Sequence, residues 1–209
     1  MKEVKYYRKE VARFMRRLYD RGLTTASGGN VSFRLNNVVL ITPSGTDKEH
    51  IRGKEIGILT FHGKNLTPQL KPSIEIAMHL AVYKARTDVK AIVHAHPHTA
   101  TSFTSMHRDI DCTLTAEARA ILGTPAFAPY ALMGTEELAE VVAGTAAAPS
   151  NVILLENHGI VCLGNDLLMA YNRLEVLEAA AKMTLITNLM GKVKPLSEDQ
   201  LKGIDGMFV

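Results

Sequence analysis

Apolar positions along the chain first recur at helical spacing. Val4, Tyr7, Val11, Phe14, Met15 and Leu18 fall mostly three and four residues apart. That spacing draws one stripe along a helix that Gly22 should close. The period then changes, because Val31, Phe33 and Leu35 alternate with polar residues as in a half-buried strand. Asn36-Asn37 supplies a tight turn, and Val38 to Ile41 the returning strand of a hairpin. A third strand, Ile58 to Phe61, ends at His62-Gly63. Ser73 to Ala85 reads as a helix with Ser73 as its N-cap and Ile76, Leu80 and Tyr83 on one face. Lys90 to His96, built around Ala91-Ile92-Val93, has the profile of a buried strand. Glu117 to Leu122 forms a short helix stopped by Gly123, and Thr135 opens another that runs to about Ala147. Two apolar strands, Asn151 to Leu155 and Ile160 to Leu163, flank Glu156-Asn157-His158-Gly159. Asp166 caps a long helix through about Leu189 that closes near Gly191, and Ser197 to Gln200 is a capping box for a last short helix. Strands and helices interleave without strict alternation. The expectation is one α/β domain over residues 1–209, a mixed sheet covered by helices.

Composition narrows the class. With 46% hydrophobic and 22% charged residues the chain can bury a sizeable core. Lys plus Arg (24) exceeds Asp plus Glu (21) by 3, and this small, dispersed excess gives no case for a nucleic-acid partner. The two cysteines, Cys112 and Cys162, can build neither a disulfide framework nor a cysteine metal site, which fits a reducing cytoplasm. No apolar run approaches the roughly 18 residues of a membrane span, and the N-terminus has no signal-peptide core. A soluble cytoplasmic protein is expected.

Three of the eight histidines stand out. His94 and His96 lie two apart on a predicted strand, so both project from one face with Cα atoms about 6.5–7 Å apart. Two imidazoles so spaced can converge on one ion. His158 follows a different apolar strand and precedes Gly159, at a strand end or tight turn. Three nitrogen ligands describe a catalytic site that keeps a position open for water or substrate. A His-x-His pair alone is a weak signal, since most such pairs are surface or core histidines. His98 and His107 belong to the same cluster or to nothing, while His50, His62 and His79 read as structural or solvent-exposed. His79 lies four residues after Glu75, on the same predicted helix face and so its neighbour.

Two Gly/Ser stretches, Ser27-Gly28-Gly29-Asn30 and Thr42-Pro43-Ser44-Gly45-Thr46, can present backbone N–H groups and side-chain donors to an anion. Ser73 at a helix N-terminus offers a third such element. Each is equally an ordinary loop or cap. Glu75, in the first turn of that helix, suits catalysis or simple compensation of the helix dipole, and position does not separate the two.

Taken in order, TTASGGNVSFR, ITPSG, KPSIE, VHAHP and LLENHG resemble the class II aldolase family, which includes L-fuculose-1-phosphate aldolase, ribulose-5-phosphate 4-epimerase and methylthioribulose-1-phosphate dehydratase. The likeness is collinear from about Ala12 to about Leu189. It implies a central, largely antiparallel sheet flanked by helices, and a fourfold homotetramer with zinc sites near the subunit interfaces. It further implies that His94, His96 and His158 are the zinc ligands, with Mn2+ or Co2+ as substitutes. Glu75 would be the acid/base carboxylate, and Ser27, Gly28, Asn30, Ser44, Gly45 and Ser73 would hold a substrate phosphate. The implied reaction cleaves L-fuculose 1-phosphate, or a similar ketose 1-phosphate, into dihydroxyacetone phosphate and an aldehyde through a metal-stabilised enediolate. The Glu75 pKa is expected to be tuned upward. No lysine Schiff base is needed, and no buried lysine stands out.

Departures from the family pattern bear on specificity. Ile74 stands where fuculose-phosphate aldolases commonly have a second serine, Thr115 where a neighbouring subunit contributes a tyrosine, and Met133 at an aromatic position near the pocket. Tyr130 or a tail residue such as Phe208 compensates only in part. Glu117 lies close to a glutamate of the dehydratases and is a second candidate base. The alternatives are a 4-epimerase, a dehydratase or an aldolase for another deoxypentulose phosphate, and, outside enzymes, an adducin-like binding domain, though adducin heads have lost the metal histidines.

Overall fold

In the computed structural model, which describes residues 2–207, a single seven-stranded sheet runs through the molecule. Its strands are β1 (Asn30–Leu35), β2 (Val38–Ile41), β3 (Gly57–Thr60), β4 (Ala91–Ala95), β5 (Ala126–Ala128), β6 (Val152–Leu155) and β7 (Gly159–Gly164). They lie in the order β3-β2-β1-β4-β7-β6-β5. Every neighbouring pair is antiparallel except β5 and β6, so the sheet is mixed and largely antiparallel, as expected. The helices are α1 (Lys2–Asp20), α2 (Ile76–Ala85), α3 (His98–Met106), α4 (Ala116–Leu122), α5 (Glu136–Ala146), α6 (Leu167–Met190) and α7 (Glu198–Asp205).

Strand alternation sorts the core into two layers. On β1, Val31 and Phe33 point into the cluster formed with α1, α3, α4 and α6. Asn30 and Ser32, one residue out of phase, face α2 on the other side, where Ser32 meets His79 and Tyr83. The same alternation on β4 sends Ala91, Val93 and Ala95 to the first layer and Ile92 to the α2/α5 layer. His94, two residues after Ile92, therefore faces α2. Central strands β4, β6 and β7 are buried along their whole length, which explains their unbroken apolar runs.

Local signals set most boundaries. The α1 stripe buries Val11, Ala12, Phe14, Met15 and Leu18. Gly22 at φ +65° ends the helix, and Leu23 donates back to the Leu18 carbonyl. Thr135, Asp166 and Ser197 cap α5, α6 and α7 through their side chains, and the Ser197/Gln200 capping box is complete.

One expectation is corrected, and two elements carried no signal in the sequence. Ser73 is not the N-cap of α2. Its N–H donates to the Thr42 carbonyl (3.2 Å) within an isolated bridge between Pro43 and Pro72, which keeps this stretch extended. A turn through Ile74 and Glu75 follows, and the helix begins at Ile76 with Glu75 in the cap position. Helix α3 carries no apolar periodicity in HTATSFTSM and went unpredicted. Its first amides, Thr99 and Ala100, are capped by the buried carboxylate of Glu178 on α6 (3.3 and 2.9 Å) rather than by a local residue. Strand β5 is three residues long and exists only through its parallel pairing with β6. Phe208 lies outside the described residues.

Candidate active site

The site forms where β4, the β6–β7 turn and the start of α2 meet. His94 is fully buried near the end of β4, opposite Asn30 on β1, and His96 lies one residue beyond that strand. The turn Glu156-Asn157-His158 places Asn157 at φ +50° and returns the His158 N–H to the Leu155 carbonyl (3.1 Å). The three imidazoles thus meet from two strand ends. One ligand nitrogen from each lies within 4.8 Å of the others.

Glycine permits this approach at two positions. A Cβ on Gly159 would sit 2.4 Å from His96 Cδ2 and 2.8 Å from the Ala95 carbonyl oxygen. Gly29, at φ +64°, would bring a Cβ to 2.7 Å from the His94 carbonyl oxygen.

Glu75 completes the cluster. It is 5% exposed, with Oε2 3.2 Å from His94 Nε2 and Oε1 3.2 Å from His158 Nε2. Asn30 Nδ2 donates to Oε2 at 2.7 Å. Burial pushes the carboxyl up, but the His94 and His158 rings, once protonated at acid pH, and the Asn30 amide outweigh it and hold the group well below the usual carboxylate range. The upward tuning expected from the sequence is therefore corrected: the groups turned toward this carboxylate favour its charged form.

The donor set fits a divalent ion. His94 Nδ1 donates to the Ile160 carbonyl (2.9 Å), which leaves the Nε2 lone pair facing His96 Nε2 at 3.1 Å and the Glu75 carboxylate. Burial lowers the His94 pKa and pushes His96 down to about 3, so both rings are neutral. Glu75 Oε1 and His158 Nδ1 are buried without hydrogen-bond partners among the described residues. Converging lone pairs and an ionised carboxylate repel one another unless a cation lies among them.

Behind Glu75 runs a buried chain of hydrogen bonds in which each group dictates the next. An ionised carboxylate only accepts, so Asn30 must present its NH2 and turn Oδ1 away. His79 Nε2 donates to that oxygen, which leaves Nδ1 to accept from Ser32 Oγ (2.6 Å). Ser32 Oγ in turn meets the Tyr83 hydroxyl (2.7 Å). Burial pushes the His79 imidazole down to about 3 and the Tyr83 phenol up, so both stay neutral. His79 is thus buried and reaches Glu75 through Asn30.

The other expected residues are placed as follows. Ser27 and Gly28 lie on the loop entering β1, where a Cβ on Gly28 would stand 3.1 Å from His96 Nδ1, so this loop borders the histidines. Ser44 and Gly45 form the turn after β2, strapped to the Lys71–Ser73 segment by Ser44 N–H to Lys71 O (3.0 Å) and Ser73 N–H to Thr42 O (3.2 Å). Ser73 Oγ accepts the Glu75 N–H (3.3 Å). The Asn30 side chain is committed to Glu75 and His79. Glu117 is exposed in the first turn of α4, in the opposite layer from Glu75, and Thr115 caps that helix by accepting the Ala118 N–H. Tyr130 is 57% exposed beside the His158 turn, its N–H on Glu156 Oε2 (2.9 Å). Exposed His98, and His107 paired with Glu156 (3.4 Å), lie outside the three-histidine group.

One residue escaped the sequence reading. Lys48 is 1% exposed, so a buried lysine exists after all. Its Nζ donates to the Pro43 carbonyl (2.9 Å), and nothing in the sequence around it, three residues past ITPSG, marks it as buried.

A buried carboxylate facing three imidazoles beside Gly/Ser loops is the arrangement of a lyase site able to hold a metal. The pattern that defines the Class II Aldolase and Adducin N-terminal domain matches residues 9–185. An L-fuculose phosphate aldolase of Methanocaldococcus jannaschii is 36% identical over 88% of this chain and 99% of its own. A 5-deoxy-D-ribulose 1-phosphate aldolase of Bacillus thuringiensis is 30% identical over 96% of this chain and 94% of its own. A solved structure of an L-fuculose 1-phosphate aldolase superposes with a TM-score of 0.88 at 30% identity, covering 100% of this chain and 97% of that one. The chain belongs to the class II aldolase family, a family of lyases that are typically metal-dependent.

Gly159→Ala should cost about 1–3 kcal/mol of stability by overpacking and displace His96, seen as a lower Tm and lost divalent-metal binding in metal analysis. His79 carries a pH signature. Its unfolded pKa is near 6.5 and its folded value about 3, so below pH 6.5 the unfolded chain takes up a proton that the folded chain refuses. Wild-type stability should therefore fall as pH drops from 6.5 toward 3. His79→Leu should flatten that limb by up to about 1.4 kcal/mol per pH unit in urea titrations of metal-free protein, while lowering stability at pH 7.

Proposed function

We propose that this chain is a zinc-dependent aldolase that cleaves L-fuculose 1-phosphate, or a closely similar ketose 1-phosphate, to dihydroxyacetone phosphate and an aldehyde. The observation that carries the reading is the ionised, buried Glu75 carboxylate within 3.2 Å of two of three converging histidines. His94, His96 and His158 hold the ion, with Zn2+ as the resident metal and Mn2+ or Co2+ as substitutes. A divalent ion there supplies Lewis-acid stabilisation of negative charge developing on the substrate carbonyl and adjacent hydroxyl oxygens.

The remaining work falls to the chain. Ser27, Gly28, Ser44, Gly45 and Ser73 grip the phosphate, and that remote binding energy sets the reacting carbons against Glu75. As the C3–C4 bond breaks, the ionised Glu75 accepts the proton that the C4 hydroxyl gives up on becoming the aldehyde, the electron pair stays with the dihydroxyacetone-phosphate half, and Glu75 then passes that proton to C3. Asn30 holds Glu75 Oε2, which leaves Oε1 for that transfer. Exposed Ile74, Tyr130, Leu132 and Met133 support a neighbouring subunit over the site, in a homotetramer. Cytoplasmic location fits the two free buried cysteines. Among the described residues no helix is long and apolar enough to cross a membrane.

A second reading, an aldolase for a deoxypentulose phosphate, is favoured by the Bacillus thuringiensis relative and by Thr115, which is occupied as a helix cap. Zinc-loaded protein should release dihydroxyacetone phosphate from L-fuculose 1-phosphate, followed by coupled reduction of that product. Glu75→Gln should lower kcat about 10²–10⁴-fold and Glu117→Gln should barely change it. No release from L-fuculose 1-phosphate, with turnover of 5-deoxyribulose 1-phosphate, would select the second reading. Ser73→Ala should chiefly raise KM for the phosphorylated sugar, by the worth of one charge-assisted hydrogen bond, about 1.5–3 kcal/mol. Equal rates on phosphorylated and unphosphorylated sugar would refute the phosphate grip.

A further inference from the structure

Lys48 presents a physical problem. Its side chain is buried and its ammonium makes one hydrogen bond, to the Pro43 carbonyl at 2.9 Å. Among the described residues no carboxylate lies within ion-pair distance: neighbouring Asp47 and Glu49 both turn to His50. Desolvation is the one influence on the amine, which is pushed down to about 8. An ammonium held this way, still protonated at neutral pH, costs several kcal/mol of folding free energy with no anion to offset it. A methionine of similar reach would fill the space at no such cost.

Its position supplies the reason. The Lys48 N–H donates to the Ala26 carbonyl (2.9 Å), next to Ser27 and Gly28, while its Nζ is held by Pro43, next to Ser44 and Gly45. One residue thus bridges the two Gly/Ser loops and places the only buried lysine ammonium among the described residues where they meet.

We infer that Lys48 is the electrostatic anchor of the phosphate cradle, its buried charge balanced only when the substrate's phosphate is bound between the two loops. This rests on the phosphate grip proposed for those loops. Backbone amides and serine hydroxyls supply direction, and Lys48 supplies the positive charge that the cradle's uncharged donors lack.

The test separates charge from loop-tying and uses inorganic phosphate as the probe, measured by calorimetric titration of the metal-loaded protein. Lys48→Met removes charge and hydrogen bond together, whereas Lys48→Gln removes the charge and keeps an amide donor for Pro43. Both variants should bind phosphate about ten- to a hundredfold more weakly than wild type. Their Tm in phosphate-free buffer should equal or exceed that of wild type, a result that a purely structural lysine would not give. Lys48→Gln binding phosphate as tightly as wild type would overturn the inference, and so would a weakening accompanied by a lowered Tm. Should Lys48→Met not fold, that too counts against it, because removal of an unbalanced charge must not cost the fold. Failure of the wild type to bind phosphate would instead overturn the grip itself and, with it, the role of Lys48.

Discussion

The structure turns on a convergence of electron pairs. Three imidazoles and an ionised carboxylate face one another in a largely buried space, where repulsion is poorly screened. Such a centre holds only if the elements carrying it are fixed by independent packing, and the two-layer core does this. His94 is anchored on β4, a strand buried along its whole length between antiparallel partners β1 and β7. Its ring is oriented by the Ile160 carbonyl of the strand that follows His158, so the scaffold of one ligand aims another. Gly159 and Gly29 keep the strand ends close enough for the rings to meet.

The carboxylate is held from a different direction. The chain reaches Glu75 through an extended stretch pinned to Thr42, turns sharply, and enters α2 only at Ile76. That turn directs the side chain toward the sheet rather than along the helix surface. From Glu75 the hydrogen-bonded chain returns through Asn30, His79 and Ser32 to Tyr83, alternating between β1 and α2. Because an ionised acceptor stands at one end, the orientation of the Asn30 amide and the tautomer of His79 follow without further choice. A buried polar network satisfied in this way costs little and leaves the base one geometry.

Much of this was legible in the residues, and the remainder was hidden for identifiable reasons. Strand alternation foretold β1, the Asn36-Asn37 turn foretold β2, and capping residues foretold α5, α6 and α7, because those signals are local. The spacing of His94 and His96 proposed a ligand pair, the strand-end position of His158 nominated a third more than sixty residues on in sequence, and the ordered motifs joined the three into one site. Helix α3 was illegible because its cap is Glu178, a contact made by tertiary structure alone. Ser73 misled because its hydroxyl serves a turn that resembles a cap two residues early. The direction of the Glu75 pKa shift depends on which donors fold onto it, and Lys48 shows nothing in composition that separates it from surface lysines.

The division of labour within the site explains how one fold serves related enzymes with different substrates. Residues that handle charge are buried and mutually constrained: replacing one strands its partners, so the inner ring has little freedom to vary. Residues at the rim face no such penalty. Ile74, Tyr130, Leu132 and Met133 are about half or more exposed, and Ile74 packs beside Gly134. None of the four takes part in the hydrogen-bonded chain through Asn30 and His79 or in the three-histidine group. Relatives named for L-fuculose phosphate and for 5-deoxy-D-ribulose 1-phosphate both align over more than four-fifths of this chain. On this architecture the groups that handle charge are fixed by the core, and the exposed residues beside them carry no such constraint.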